Sequence, residues 1–209
     1  YIVYEHFEGM EGKKLLGCWA HARRKFFEAK VENERLALEA LSYIRRLYDV
    51  EAEADALDAA DNKPDHERRK ALRQERAYPE IKKFETWMEA SILKCPPKSL
   101  MEEAISYTYK ILKKLSLYVT DGRYKIDNNM VENSIRPLAI GRKNYLFCGD
   151  DDAAQRAAVV YSLLATCKAH GVNERAWLED VLRRIPEYEH AGKDYADLLP
   201  ANWRALSAK

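Results

Sequence analysis

A single carboxylate stands among amides in the stretch NNMVENSIRPLAIGRKN, which covers residues 128–144. Because Asn128 or Asn129 would cap a helix here, Glu132 falls in the first helical turn, where the partial positive charge of the helix end favours its ionised form. A carboxylate with neighbouring amides such as Asn133 can bind a hard divalent cation, which prefers oxygen ligands. On spacing alone, an ordinary first-turn glutamate that stabilises its helix remains the simpler interpretation.

Basic residues dominate the chain just after this glutamate. The segment contains Arg136, Arg142, Lys143 and Asn144, and aromatic residues follow directly. Guanidinium groups pair with phosphate and aromatic rings stack on bases, so this mixture is typical of a nucleic-acid contact. A second basic cluster consists of Arg23, Arg24 and Lys25. The alternative is that both clusters are solvated helix faces, since charged residues are plentiful throughout the chain.

A second constellation pairs thiols with imidazoles. Cys18 and His21 lie three residues apart, as do Cys167 and His170, and this spacing is about one helical turn. Together the two pairs would form a Cys2His2 zinc site. Structural zinc sites usually show closer pairing along the chain, so a buried cysteine beside a histidine at the edge of the core is the favoured interpretation at both places.

The composition is that of a folded globular protein. The 209 residues are 47% hydrophobic and 33% charged, and the net charge is only +1. A nucleic-acid surface would therefore have to come from local clustering. The sequence contains no apolar run of membrane-spanning length and no secretory signal, and its four cysteines are far apart, so we expect a cytoplasmic protein with reduced thiols. The opening YIVYEHF has no initiator methionine and indicates a fragment.

The residues before position 60 predict one strand followed by helices. KKLLGCWA, residues 13–20, is a short apolar run typical of a buried strand. The next residues, HARRKFFEAK, have a helical pattern in which Phe26 and Phe27 are predicted to turn inward. Apolar residues at helical spacing then predict a long helix from Glu34 to about Ala60.

Prolines and capping residues predict the middle helices. A helix is expected to start near Pro64 and to break or kink at Pro79. Ser99 and Glu102 form a capping-box pattern at the start of another helix. The later stretch YVTDGRYKI fits either a tight hairpin or a loop.

The last third predicts three more helices. The helix that carries Glu132 should end before Pro137. The aspartates of GDDD should cap a long helix of small residues that ends at Gly171. Asn173 should cap a further helix that ends at RRIP.

Four blocks of the sequence resemble one known family. They are GCWAHARRKFFEA, DGRYKIDNNMVENSIRPLAIGRKNYLFCG, AAVVYSLLATCKAHGVN and LLPANW. Together they resemble the transposases of the insertion-sequence-66 family over nearly the whole chain, and the resemblance is weakest from residue 51 to residue 94. The long block around Glu132 carries most of it.

The resemblance implies a DDE-type DNA transposase, which is a polynucleotidyl transferase with a ribonuclease-H-like core. In such a core two Asp and one Glu bind two divalent ions, Mg²⁺ or Mn²⁺, and Glu132 matches the family's Glu. One ion activates water, and later a DNA 3′-hydroxyl, for attack on a phosphodiester, while the other stabilises the leaving oxygen. The implied partners are the DNA ends of an insertion sequence, target DNA and further copies of the chain, in a bacterial cytoplasm and on the nucleoid when DNA is bound.

The resemblance also assigns roles to the residues around the glutamate. Contacts to DNA phosphates would come from Arg23, Arg24, Lys25, Arg136, Arg142, Lys143 and Asn144. Asn128, Asn129 and Asn133 would shape the helix start around Glu132. His21 lies in the block CWAHARRKF, beside the family's active site, and would have a supporting role.

The implied fold is mainly helical with one or two short strands. It would be the carboxy-terminal part of a ribonuclease-H-like α/β core, and a helical insertion would interrupt that core. Residues 1–30 would belong to the core, with a strand near 13–19 and then a helix. Residues 31–120 would be the insertion, residues 121–186 the core helices that carry Glu132, and residues 187–209 a carboxy-terminal tail.

The chain departs from the family pattern at its beginning. The family's second Asp precedes a Tyr-x-x-Tyr, which here is Tyr1 to Tyr4, so both Asp residues are expected to lie before Tyr1. We therefore expect this chain alone to hold no metal tightly and to be inactive. The alternative function is a non-catalytic helical module for DNA binding or protein interaction, from a degenerate element, which would need the basic residues but not Glu132.

Overall fold

The structure is a computed structural model that describes residues 6–7, 10–145 and 147–206. Helices make up most of this part of the chain. They are α1 (Trp19–Glu28), α2 (Glu34–Ala60), α3 (His66–Leu72), α4 (Tyr78–Ile92), α5 (Leu100–Lys110), α6 (Leu112–Ser116), α7 (Asn129–Tyr145), α8 (Asp151–Ala169), α9 (Glu174–Ala191) and α10 (Pro200–Leu206). Short 3₁₀ turns cover Ala29–Val31, Leu117–Thr120 and Tyr195–Leu198, and a π-helical stretch covers Arg73–Ala77.

The chain divides into two compact units, residues 1–130 and residues 131–209. In the first unit an aromatic core joins α1, α2 and α4. The Phe84 ring lies 5.7 Å from Phe26 and 5.3 Å from Tyr43, centroid to centroid. The Trp19 side chain is fully buried, and its indole Nε1 donates to the Leu115 carbonyl at 3.0 Å. Offset and edge-on ring pairs of this kind stabilise a core beyond the area that they bury.

A buried charge cluster, Glu51, Arg69 and Arg73, lies beside this core. The Arg73 side chain donates from Nε and from one Nη to the two Glu51 carboxylate oxygens, each at 2.7 Å. Arg69 donates to Glu51 Oε2 at 3.1 Å and to Asp58 Oδ2 at 2.6 Å. Two arginines therefore compensate one buried glutamate, as a carboxylate removed from water requires.

Arg73 also holds the loop that leads to α7. Its remaining N–H groups donate to the backbone carbonyls of Tyr118, Asp121 and Tyr124, at 2.9, 2.8 and 3.0 Å. Gly122 in this loop approaches α3 so closely that a Cβ atom would lie 1.9 Å from the His66 carbonyl oxygen. The loop before α7 is therefore held from two sides within the first unit.

The second unit has a smaller core at the ends of α8 and α9. Its buried residues are Cys167, Val172, Trp177, Val181, Tyr188 and Leu198. The Trp177 indole Nε1 donates to the Leu198 carbonyl at 2.8 Å, and the Trp203 indole Nε1 donates to Asp180 Oδ2 at 2.7 Å. These two bonds tie the turn after α9, and α10, back onto α9.

Side-chain caps confirm several predicted helix starts. Ser99 Oγ accepts from the Glu102 N–H at 3.2 Å, Asp150 Oδ1 from the Ala153 N–H at 2.7 Å, and Asn173 Oδ1 from the Ala176 N–H at 2.9 Å. The predicted return bond of the capping box is replaced, because the Ser99 N–H donates to the Pro96 carbonyl at 3.2 Å and the Glu102 carboxylate accepts from Ser106 Oγ. α2 covers the predicted range Glu34–Ala60.

The predicted strands, and with them the ribonuclease-H-like α/β core, are a wrong expectation, because no strand occurs in residues 6–7, 10–145 and 147–206. Residues 13–18 are irregular, and α1 begins at Trp19. The Gly17 N–H donates to the Lys114 carbonyl of α6, and the Trp19 N–H donates to the Ile126 carbonyl in a loop. A strand needs a ladder of such bonds to a neighbouring strand, and these acceptors lie on separate, non-strand segments. For the stretch YVTDGRYKI, the loop is the alternative that the structure has, and it follows the 3₁₀ turn Leu117–Thr120.

Two helix ends and one side chain also differ from the predictions. Pro137 lies inside α7 and Pro186 inside α9, so neither proline ends its helix. α9 instead ends at Gly192, whose φ of 59° is left-handed, a conformation that glycine adopts without strain. Phe26 is fully buried as predicted, but Phe27 is 60% exposed. At Pro79 we expected a break or a kink. The structure has a π-helical stretch, Arg73–Ala77, just before this proline, and a local change of helical pitch of this kind accommodates the missing proline N–H.

Candidate functional site

α7 presents the candidate glutamate and two cations on one face. Glu132 lies in the first turn and is half-buried, whereas Arg136 and Lys143 are exposed. At 100° per residue, positions 132, 136 and 143 point in nearly the same direction. Pro137 removes one backbone donor, so the Asn133 carbonyl lacks its usual helical partner. The first turn thus combines a carboxylate with an extra backbone acceptor and a flanking row of positive charge.

The other predicted residues of α7 are exposed around the helix. They are Asn133, Arg142 and Asn144. Within the part of the chain that the structure describes, Arg136, Arg142 and Lys143 form no ion pair with a carboxylate. Their donors are therefore available to an anionic ligand such as a phosphate.

Asp127, which the sequence analysis missed, organises the start of α7. Its Oδ1 accepts from the Asn129 backbone N–H at 3.1 Å, and its Oδ2 accepts from Asn129 Nδ2 at 2.9 Å. The Tyr48 hydroxyl of α2 also donates to Asp127 Oδ2, at 2.8 Å. Burial and this bond raise the pKa of Tyr48 well above its usual value, so its hydroxyl remains a donor. Asp127 therefore joins the helix start to α2.

Asn128 joins the same segment to α1. Its Oδ1 accepts from the Cys18 thiol at 2.9 Å, and the neighbouring Ile126 carbonyl accepts the Trp19 N–H at 3.2 Å. The CWAHARRKF and DNN blocks, far apart in sequence, therefore meet within the first unit. His21 lies on α1, one turn after this contact, and is half-buried.

The three cations of α1 point to different surroundings. Lys25 Nζ lies 5.1 Å from the centroid of the Tyr107 ring on α5, a cation–π contact. Arg23 instead lines a groove with α2, near Tyr48 and Asn129. Arg24 is exposed. The predicted cluster is therefore divided, and Arg23 is brought together with the segment that precedes Glu132.

The groove beside Arg23 also contains cations that sequence reasoning missed. Lys30 follows α1, and Arg45 lies on α2, where both line the same groove. Their positions carry a usable signal, because Arg23 and Lys30 are seven residues apart and so share a helical face. Arg45 lies across the groove on α2, and its position near Arg23 and Lys30 follows only from the packing of the two helices.

Metal-ligating side chains do not gather in the described residues. Across residues 6–7, 10–145 and 147–206, no three His, Cys, Asp or Glu side chains are close enough to hold an ion. The two halves of the predicted Cys2His2 zinc site lie in different units, so that site stays a prediction. Burial raises the pKa of the Cys167 thiol. The residues present also do not by themselves fit the divalent ions that the family resemblance implies. In the described part of the chain no helix is long and apolar enough to cross a membrane.

Comparisons with known proteins agree with the resemblance. The family described as Transposase IS66 family matches residues 1–156, and the IS66 C-terminal element matches residues 162–201. Three uncharacterized proteins of Sinorhizobium fredii are similar to the chain. Protein y4hP is 34% identical over 91% of the chain, y4qI 37% over 91%, and y4jD 32% over 98%.

The chain spans about a third of the length of these relatives, since the matches cover 35%, 34% and 40% of them. No solved structure matches the chain. The first family match alone covers well over half of the 209 residues, and it includes both blocks that meet at the start of α7. The chain therefore belongs to the IS66 family of transposases.

Proposed function

We propose that the chain is part of the catalytic region of a DNA transposase that cuts and joins the ends of an insertion sequence. The observation that carries this proposal is the face of α7, which combines Glu132 with the exposed cations Arg136 and Lys143 inside the family-matched segment. Phosphoryl transfer needs a carboxylate close to cations that hold phosphate. Membership of a transposase family makes DNA the substrate that fits this face.

The roles of the individual residues follow from their exposure. Arg136, Arg142, Lys143 and Asn144 would hold the phosphates of one DNA segment, since their donors are exposed on one helix. Arg23 and Arg24 would contact DNA from α1. Lys25 has its charge directed to the Tyr107 ring, so it would contribute mainly to the local potential. Asn128, Asn129 and His21 would support the helix start rather than contact substrate.

Glu132 is proposed as one carboxylate of the active site in the longer transposase, in an assembly of several copies on DNA. Because no three His, Cys, Asp or Glu side chains come together in the described residues, further ligands for Mg²⁺ or Mn²⁺ would have to come from other parts of the longer transposase. If Glu132 only stabilises its helix, Glu132→Gln should leave DNA cleavage nearly unchanged, whereas a catalytic role predicts a large loss of cleavage.

The test is Glu132→Gln in the full-length transposase, assayed for cleavage and strand transfer of DNA that carries the insertion-sequence ends. We expect a loss of at least about a hundredfold, because even residues that only support a metal ligand often cost that much. DNA affinity should stay within about twofold, since the phosphate-binding cations are unchanged. The matched control is Glu174→Gln, an exposed first-turn glutamate on α9, which should keep full activity.

Full activity of the Glu132→Gln protein would remove Glu132 from the active site. If DNA binding were retained and no cleavage were found in the unsubstituted full-length protein either, the non-catalytic DNA-binding module would be the better description. The same assay therefore separates the two functions.

A further inference from the structure

A groove on the first unit combines positive charge with an exposed aromatic ring. One wall is a face of α1 and the turn after it, with Ala20, Arg23, Phe27 and Lys30, and the other is a face of α2, with Leu41, Arg45 and Tyr48. Asn129 also lines it, and the groove has a volume of about 530 Å³. These spacings of three, four and seven residues put each set on one side of its helix.

The charge in this groove is of one sign. Arg23, Lys30 and Arg45 line it, and its lining contains no acidic residue. Two of the cations have distant carboxylate neighbours outside the lining, Lys30 Nζ at 3.9 Å from Glu34 and Arg45 Nε at 4.0 Å from Asp49. Both contacts are at the outer limit of an ion pair between solvated groups, and such pairs contribute little. The three cations are therefore available to a multiply charged anion.

Phe27 is the feature that a phosphate site alone does not explain. Phe27 is 60% exposed, Lys30 Nζ is 5.5 Å from its ring centroid, and Arg23 lines the same groove. An apolar ring of this size is normally turned inward, as Phe26 is on the same helix. An exposed ring among cations is the arrangement on which proteins stack an unpaired base while the cations hold the phosphates on either side.

The polar groups of the groove suit a nucleotide as well. The Tyr48 hydroxyl and the Asn129 side-chain amide N–H both donate to Asp127, so their orientation is set before any ligand binds. The Asn129 Oδ1 accepts no hydrogen bond from the residues that the structure describes, and it can accept from a base or a sugar. A duplex would keep its bases paired and could offer only phosphates to this groove.

We propose that this groove binds single-stranded nucleic acid, with one unstacked base on Phe27 and the neighbouring phosphates on Arg23, Lys30 and Arg45. The inference rests on the proposed function, because the substrate of a DNA transposase is the source of the DNA strand. It goes further, because it adds Phe27, Lys30 and Arg45 to the DNA surface and specifies an unpaired strand there.

The experiment measures binding of the chain to a labelled thymidine oligonucleotide of about twelve nucleotides, within the range that one such site covers. A duplex of equal length is measured in parallel by fluorescence anisotropy. Phe27→Ala should weaken single-strand binding about tenfold, which corresponds to the loss of one stacked base, and should leave duplex binding unchanged. Phe27→Trp should keep or increase single-strand affinity, because the larger ring still stacks.

Two controls match these variants. Leu93→Ala removes another highly exposed apolar side chain, 87% exposed, from the same unit and should have no effect. Arg45→Gln should weaken binding of the oligonucleotide, whereas Arg35→Gln, which removes an exposed arginine of α2 outside the groove lining, should not. Circular dichroism on each variant confirms that the helices are retained.

The proposal would be overturned if Phe27→Ala bound the single-stranded oligonucleotide as tightly as the original chain does. It would also be overturned if Phe27→Ala lost the same factor of affinity for the single strand and for the duplex. Tight duplex binding with no single-strand binding would also overturn it. These failures differ from failure of the proposed function, because Glu132→Gln should abolish strand transfer in the full-length protein while leaving oligonucleotide binding by this groove unchanged.

Discussion

Arg73 and Arg45 lie in the same unit and carry the same charge, but their side chains occupy opposite environments. Arg73 is fully buried, and its guanidinium makes five hydrogen bonds, two to Glu51 and three to backbone carbonyls. Arg45 has a side chain that is 83% exposed, and its carboxylate neighbour Asp49 lies at 4.0 Å. A guanidinium has five N–H donors, so Arg73 has none left for a ligand while Arg45 has nearly all of them.

The number of hydrogen-bond donors already in use separates structural from functional arginines in this chain. Burial of a charge is tolerated only when each donor has a partner, and once this is so the residue holds its surroundings in one arrangement. Arg73 therefore positions the loop between residues 118 and 124, which leads into α7 and Glu132. Arg45 stabilises the fold little and is suited to bind phosphate. Three experiments test whether the two arginines differ in this way.

The largest effect is expected from Arg73→Met. The substitution keeps an unbranched side chain but leaves the Glu51 carboxylate with Arg69 alone and removes the Arg73 donors from three backbone carbonyls. We expect a loss of about 3–5 kcal/mol in the free energy of unfolding, measured by urea denaturation. Arg45→Met should change it by less than about 0.5 kcal/mol. A loss below about 1 kcal/mol for Arg73→Met would show that the buried charge cluster does not hold the loop.

A smaller effect is expected from Asp58→Asn, at the rim of the same cluster. The hydrogen bond from Arg69, followed by that from the Asp65 backbone N–H, lowers the pKa of Asp58 well below its usual range. A lowered folded-state pKa contributes stability above the unfolded pKa of about 4, and this contribution is lost as pH falls through the folded value.

The melting temperature of Asp58→Asn should therefore lie below that of the original chain near pH 7, and the gap should narrow as pH falls below about 4. The measurement is thermal melting by circular dichroism across this range at constant ionic strength. A gap that does not change with pH would mean that the charge of Asp58 contributes nothing.

The smallest effect concerns salt. Each phosphate contact made by a cation adds a fixed increment to the dependence of affinity on salt concentration. Arg45→Gln should reduce the slope of log affinity against log salt by about 0.7 for the oligonucleotide, and Arg35→Gln should leave it unchanged. Equal slopes for Arg45→Gln and the original chain would mean that Arg45 does not contact phosphate.

Local signals in the sequence predicted much of the helical structure. The caps at Ser99, Asp150 and Asn173 were predictable because a capping side chain bonds a backbone N–H only three residues away. Proline was a weaker signal. Pro137 and Pro186 lie inside helices, and each removes only one backbone N–H donor from its helix.

The strand prediction failed for a different reason. An apolar run of eight residues such as KKLLGCWA fits a buried strand or the entry to a buried helix equally well. Trp19 is buried as the run requires, but as the first residue of α1, where its indole reaches the Leu115 carbonyl. Whether a segment becomes a strand depends on a neighbouring strand, and that neighbour is not encoded in the segment itself.

The candidate site shows the same division. Sequence motifs identified the family and placed Glu132 in the first turn of a helix, but they predicted that this helix ends before Pro137. Only the structure puts Arg142 and Lys143 on the same helix as Glu132. The motifs did not identify Asp127 and Tyr48, because the bond between them joins residues 79 positions apart. They also did not show that Phe27, not Phe26, is the exposed ring.

The helix caps, the long helix Glu34–Ala60 and the family could be predicted from the sequence, since these depend on neighbouring residues or on the order of motifs. The burial of Arg73 among backbone carbonyls and the exposure of Arg45 could not be predicted in this way. Capping bonds span three residues, whereas burial depends on how helices distant in the chain pack together.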